Sequence, residues 1–253
     1  MVTSLQIREL FHFLFLEQLL KTTSPRLYIL KGGVNLRFFF KSPRYSEDMD
    51  LDVMKTSVET LKKNGYKILN AAPFRRTLST YGIESLKIND PLKAKHTETT
   101  QRFKVQLHLT SGEVFPTKIE FSRRGNKDPQ NFEIARIDSS IAIVYQRLPF
   151  LFQHYTAFAA MAQKIEALAQ RNVTQVRDLF DLYILKIQLQ HFEKLKVPKK
   201  IIRDALSNLE ALSFDDFQGH VVHFLDLEHQ KQFGNKDQWN IILSEISIFL
   251  KSI

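Results

Sequence analysis

"YILKGGVNLRFFFKSPRYSEDMDLDV", residues 28–53, runs from an apolar stretch ending in two glycines to a segment in which three aspartates alternate with apolar residues. In an extended chain residues two apart share a face, so Asp48, Asp50 and Asp52 project together while Met49, Leu51 and Val53 point inward. Carboxylates a few ångströms apart repel by roughly a kcal/mol or more in partly buried surroundings. A divalent cation turns that repulsion into coordination, and Mg²⁺ in particular takes carboxylate oxygens while keeping positions for substrate phosphates. Three readings compete: a solvated edge strand, a calcium loop and a phosphoryl-transfer metal site. The calcium loop fits worst, because Val53 stands where that loop needs glycine and the alternation belongs to a strand. Gly32-Gly33, between a strand and a helix, lets backbone approach an anion at the helix N-terminus. Neither a G-x-x-x-x-G-K-[ST] loop nor a G-x-G-x-x-G fingerprint is present.

The 253 residues suffice for one large domain or two modest ones, and a 43% hydrophobic content supports a packed core. Cysteine is absent, which excludes disulfides and thiolate metal sites. The apolar patch "LFHFLFLEQLL" (10–20) is interrupted by Glu17 and reads as an amphipathic helix rather than a leader or a span, so no membrane association and a cytoplasmic location are expected. The net charge of +9 is unevenly spread: residues 1–150 hold 24 Lys and Arg against 15 Asp and Glu, and residues 151–253 hold 12 against 12. A basic surface around an acidic cluster suits a polyanion such as nucleotide or RNA, although charge alone fits a merely solvated basic face equally well.

Along the chain, helices are expected at 4–21, with Ser4 as cap, and from Gly32 through Phe40, where Ser42-Pro43 stops the second. Strands are expected at 26–30 and 49–54, followed by a helix over 57–69 broken at Asn64-Gly65. Residues 77–122 read as β, with "QRFKVQLHLT" and "TKIEFS" alternating around the turn "SGE". Past about 150 only helices are expected, at 157–170, 174–189 capped by Thr174, 199–212, 214–231 and 237–252. The fold class is therefore α/β (α+β), with a mixed-sheet domain over 1–150 and an all-helical domain over 151–253.

Read together, "LKGGVNLRFFFKSPRYSEDMDLD" (30–52) and "MAQKIEALAQRNVTQVRDLFDLYIL" (161–185) resemble the two motif blocks of the AbiEii/AbiGii toxin family. These are nucleotidyltransferases of the DNA-polymerase-β-like superfamily found in type IV toxin–antitoxin and phage-abortive systems. The second block carries a lysine, then an arginine, then an Arg-Asp-x-x-Asp element. The resemblance implies that Gly32 and Gly33 hold nucleotide phosphates, with Ser46 beside the metal strand; Arg37 and Arg44 are further candidates for the triphosphate, or else a solvated helix or loop cation each. It further implies that Asp48 and Asp50 bind metal, with Glu120 as a third carboxylate from a neighbouring strand or else a plain outward polar residue. Lys164 would contact phosphates and Asp178 would complete the site from a helical domain that closes the nucleotide cleft. Two positions depart from the family pattern: Val34 follows the glycines where a hydroxyl is usual, and Gln163 precedes Lys164 where an acid is common.

The expected reaction is transfer of a nucleoside monophosphate from NTP to an acceptor hydroxyl with release of pyrophosphate, using two Mg²⁺ ions or Mn²⁺ in their place. RNA, tRNA in particular, is the expected acceptor, with Lys41, Arg44, Arg123 and Arg124 as its contacts, and a cognate antitoxin is an expected partner. A small-molecule nucleotidyltransferase of the aminoglycoside-modifying kind and a catalytically silent RNA- or partner-binding module are the alternatives. On residue pattern alone, Lys164 also fits a solvated helix face, Asp178 a first-turn acid favoured by the helix dipole, and Arg171 and Asp181 structural roles. His220 and His223 share a helix face without a metal-binding motif.

Overall fold

The computed structural model describes residues 3–91, 97–124, 128–189 and 195–253. The chain forms two compact units, one from Met1–Asn35 with Ser46–His154 and the other from Leu36–Tyr45 with Tyr155–Ile253. Relative to a division at 150, the segment 36–45 departs. It leaves the first unit and joins the helical one, where the Tyr45 amide donates to the Phe224 carbonyl (2.9 Å).

The first unit is built on a seven-stranded mixed sheet of order β3-β4-β5-β2-β1-β7-β6, with β1 Tyr28–Lys31, β2 Asp48–Val53, β3 Ile83–Ile88, β4 Thr100–Leu109, β5 Val114–Ser122, β6 Phe132–Arg136 and β7 Leu151–Tyr155. β1 runs antiparallel to β2 and parallel to β7, β2 runs parallel to β5, and β3-β4-β5 form an antiparallel meander. The strand β7 corrects the expectation of helices only beyond 150. Its centre is polar in sequence, but Gln153 and His154 are buried, Gln153 donating to the Tyr28 carbonyl (3.2 Å) and His154 Nδ1 lying 3.0 Å from Asn35 Oδ1. These polar partners hide a buried strand from a hydrophobicity reading.

Helix α1 (Ser4–Thr22) is capped by Thr3 rather than Ser4, in a capping box with Gln6. It is buried more completely than the amphipathic helix expected: Leu10, Phe11, Phe13, Leu14, Phe15 and Leu16 are all buried, on successive sides, as are Glu9 and His12. The Tyr145 hydroxyl donates to Glu9 (2.7 Å), and Arg147 pairs with Glu17 (2.5 Å). Helix α2 spans Gly32–Phe39. Helix α3 (Val58–Asn70) continues through Gly65, where a break was expected, because the Phe103 ring fills the space that a Cβ would take. Helix α4 (Ala72–Ser79) and helix α5 (Ser139–Val144) complete the unit.

In the second unit, α6 (Ala157–Gln170), α7 (Val176–Gln188), α8 (Lys199–Leu209) and α11 (Lys236–Ser252) enclose a core that includes Met161, Ile165, Leu179, Phe180, Phe217 and Trp239. Gln175, not Thr174, occupies the N-cap of α7. The helix expected over 214–231 is two, α9 (Phe214–His220) and α10 (Leu227–Phe233). The chain leaves helical geometry at Val221 and restarts where Asp226 accepts the His229 amide (3.0 Å).

Two outcomes are expected. Gly65→Ala should destabilise by about 1–3 kcal/mol through overpacking against Phe103, and a denaturation midpoint equal to wild type would contradict that packing. His12 is buried and its pKa falls from 6.5 to about 3, through burial first and the Arg8 charge second. A depressed histidine pKa makes the unfolded chain the better proton acceptor, so this contribution is present above pH 6.5 and lost as pH falls from 6.5 towards 3. Wild type should lose roughly 1.4 kcal/mol per pH unit over that window relative to His12→Gln, read as the difference between their urea midpoints at pH 7 and pH 5.

Candidate active site

Strand β1 ends at Lys31 and the chain turns at once into α2. Gly32 makes the turn in the left-handed region (φ 68°), and a Cβ there would sit 3.2 Å from Asp50 Oδ2. That close approach to a carboxylate, with the strained φ, requires glycine. The first turn of α2, with Gly33, therefore lies beside the aspartate strand.

Strand register then aligns charge across the sheet. Lys31 pairs with Asp50 on β2, Asp50 with Glu120 on β5, and Glu120 with Arg102 on β4. Strand alternation puts Asp48 and Asp52 on this same face. Arg102 closes on Glu120 (2.6 Å), Lys118 on Asp48 (3.0 Å) and Lys31 on Asp52 (2.6 Å). Asp52 is buried, so its carboxylate belongs to the strand pairing with Lys31. Asp50 is half-buried, and burial pushes its carboxyl pKa up. Lys118 and Lys31 pull it back, while Glu120 and Asp48 push it further up. Among the described residues no three His, Cys, Asp or Glu side chains converge as a ready-made metal cage. Asp48 and Asp50 nonetheless fit a cation that takes few protein ligands and fills its remaining positions with phosphate and water.

The approach to β2 is fixed from two sides. Ser46 Oγ donates to the Asp48 carbonyl (2.8 Å), and Thr117 Oγ1 donates to the Glu47 carbonyl (2.7 Å). Thr117 Oγ1 lies 2.8 Å from His12 Nε2. With the threonine proton committed to Glu47, the neutral imidazole must carry its proton on Nε2. Arg8 reaches Glu47 as well (3.5 Å). The buried helix α1 thus anchors the residue before the first aspartate.

The helical unit holds a second charged cluster. Lys164 Nζ on α6 sits 2.8 Å from Asp178 and 2.6 Å from Asp181 on α7, Arg171 Nε lies 2.9 Å from Asp178, and Arg44 grips both oxygens of Asp181 (2.9 Å each). Asp178 and Asp181 are fully buried. Burial opposes the Lys164 charge, but Asp181 and Asp178 outweigh it and hold the ammonium pKa above its ordinary value. Burial also opposes the Asp181 charge, and Arg44 and Lys164 outweigh it, keeping that carboxyl low. Arg44 is therefore not an RNA contact but a buried counter-ion. Arg37 lies over the Tyr45 ring (4.2 Å) and donates to the Ser42 carbonyl (3.0 Å).

Of the residues singled out in the sequence, Gly32, Gly33, Ser46, Asp48, Asp50 and Glu120 come together in the first unit, and Lys164 and Asp178 in the second. Arg123 also departs from expectation: it donates to Gln101 and to the Thr56 carbonyl (2.8 Å), so its guanidinium serves the fold. Sequence reading missed the cations Lys31, Lys118 and Arg102. Their alternation within strands was visible, but their pairing with Asp52, Asp48 and Glu120 depends on strand register.

The family model described as "Nucleotidyl transferase AbiEii toxin, Type IV TA system" matches residues 14–252. No curated protein sequence matches significantly. Two solved structures share the fold. The crystal structure of JHP933 from Helicobacter pylori has a TM-score of 0.54 at 18% identity, over 97% of this chain and 92% of that one. A putative nucleotidyltransferase from H. pylori has a TM-score of 0.56 at 18% identity, over 97% and 95%. With the aspartate strand and glycine turn in place and the family match extending over nearly the whole length, the chain belongs to the AbiEii family of nucleotidyltransferase toxins of type IV toxin–antitoxin systems.

Proposed function

We propose that the protein transfers a nucleoside monophosphate from NTP to a hydroxyl of RNA, tRNA being the favoured acceptor, and releases pyrophosphate. The observation that carries this reading is the seating of Gly32 against Asp50, which sets the start of α2 beside two aspartates on one strand face. Amides at a helix start favour phosphate. Mg²⁺, or Mn²⁺ in its place, held by Asp48 and Asp50 would neutralise phosphate charge and favour ionisation of the attacking hydroxyl. Glu120 stands next to Asp50 in register as a third carboxylate, and Arg102 holds it in place. Lys118 and Lys31 keep positive charge over the same face, suited to anionic substrate. From the helical unit, the resemblance assigns Lys164 to phosphate charge and Asp178 to completing the chemistry, and Arg37 is a further candidate for the triphosphate. The positive excess of residues 1–150 favours RNA over a polycationic small molecule.

Asp48→Asn and Asp50→Asn should each abolish label transfer from NTP to RNA while the thermal midpoint stays near wild type, since each change relieves mutual repulsion without altering packing and the partly exposed Asp48–Lys118 pair contributes little stability. Full activity in either variant, still metal-dependent, would place the metal elsewhere. Lys164→Ala should cut turnover by about 10²-fold or more if it clamps transferring phosphate. Because it leaves two buried aspartates short of a cation, it should also cost roughly 3–5 kcal/mol of stability. Asp181→Asn separates the two roles: it should lower stability while leaving more activity than Lys164→Ala. A Lys164→Ala protein with normal stability and rate would contradict both.

A further inference from the structure

Beside Asp48 the first unit opens a cavity of about 460 Å³ whose lining includes Asp48, Lys118, Lys104, Lys87, Asn89 and Gln106. It lies over the antiparallel meander β5-β4-β3, on the face that carries the aspartates. The register explains its charge. Asp48 on β2 pairs with Lys118 on β5, and Lys118 with Lys104 on β4. On the next strand Lys87 pairs with Gln106, two residues along from Lys104. Adjacent strands lie about 4.8 Å apart, so the three lysines step away from Asp48 across three strand intervals, roughly 14 Å of sheet.

The neighbouring row is compensated and this one is not. In the row Lys31–Asp50–Glu120–Arg102 the outer cations bracket the inner carboxylates, and Arg102 closes on Glu120. In the row Asp48–Lys118–Lys104 two lysines stand directly opposite each other, an arrangement that destabilises a sheet. Asp48 answers Lys118. Among the described residues no ion pair answers Lys104 or Lys87, and both are exposed. Asn89, whose Oδ1 accepts the Lys104 amide (2.7 Å), holds the rim between them. A cavity that starts at a proposed metal ligand and carries uncompensated lysines outward is complementary to a chain of phosphates that delivers one end to Asp48.

We propose that this cavity is the acceptor site: it binds the phosphate backbone of the RNA strand whose terminal hydroxyl is to be nucleotidylated, with Lys104 and Lys87 as backbone contacts and Lys118 at the junction with the metal strand. The proposal rests on the function proposed above and relocates the RNA contacts from Arg44 and Arg123, which are bonded within the protein, to the β3–β5 face. Backbone contacts by lysine carry no sequence information, so recognition here is of a polyanion near its end and not of bases.

The test uses the full chain and labelled total tRNA, comparing wild type with Lys87→Gln/Lys104→Gln and, as a control on an exposed cation outside the cavity, Lys200→Gln. Each variant is assayed for tRNA binding over a salt series, for label transfer from NTP, and for NTP affinity. Loss of two contacts to a single strand should reduce the slope of log K against log salt by about 1.4. It should raise the KM for tRNA several-fold, leave NTP affinity unchanged, and have no counterpart in Lys200→Gln. Wild-type labelling of tRNA with the double variant indistinguishable from it in slope and KM would overturn the acceptor site alone. Wild type that binds NTP but neither binds nor labels tRNA would overturn the RNA reading itself and the acceptor site with it.

Discussion

One strand carries three carboxylates on one face, and the fold must hold them there against their repulsion. It does so through register. Lys31 closes on Asp52, Lys118 on Asp48 and Arg102 on Glu120, with Asp50 left between Lys31 and Glu120 in the row. These contacts come from β1, β5 and β4, so the aspartate face exists only where all four strands are paired. Asp50 lies closest to the glycine turn and has the raised pKa, and Asp52 is buried and spent on a lysine. Three chemically identical residues at one spacing therefore have different environments.

The helical unit solves a similar problem differently. Two buried aspartates on α7 are answered by Lys164, Arg171 and Arg44, giving a cluster in which cations outnumber carboxylates by one. A buried ion network of this kind adds little net stability but is costly to break by removing one member. It gives Arg44 a reason to be where it is: the segment 36–45 joins the helical unit, and its arginine is fastened to Asp181. A residue that the sequence offered as a surface contact for nucleic acid proves to be a structural tie.

The parts of the site that depend on local spacing were legible. Period-2 alternation gave β2 and its face, and Gly32-Gly33 marked the turn into α2. The parts that depend on long-range register were not. Nothing local distinguishes Lys118 paired with Asp48 from Lys104 with no ion-pair partner among the described residues, since both alternate equally well within their strands. α1 read as an amphipathic helix because Glu17 interrupts its apolar run, yet the polar residues Glu9 and His12 are also buried, against Tyr145 and Thr117. β7 was hidden by the polar pair Gln153 and His154, and Gly65 suggested a break because its reason, the Phe103 ring, lies on strand β4, distant in sequence. In each case a polar or small residue finds a partner distant in sequence.

The central claim is that the aspartate face and the glycine turn serve nucleotidyl transfer to RNA. The most direct measurement supplies purified protein and total tRNA with each NTP, labelled either in the α- or in the γ-phosphate, with and without Mg²⁺. Label should enter RNA from the α-phosphate of at least one NTP, only with metal, with γ-label recovered as pyrophosphate. Label entering RNA from the γ-phosphate, or from no NTP while a small molecule becomes labelled, would contradict it.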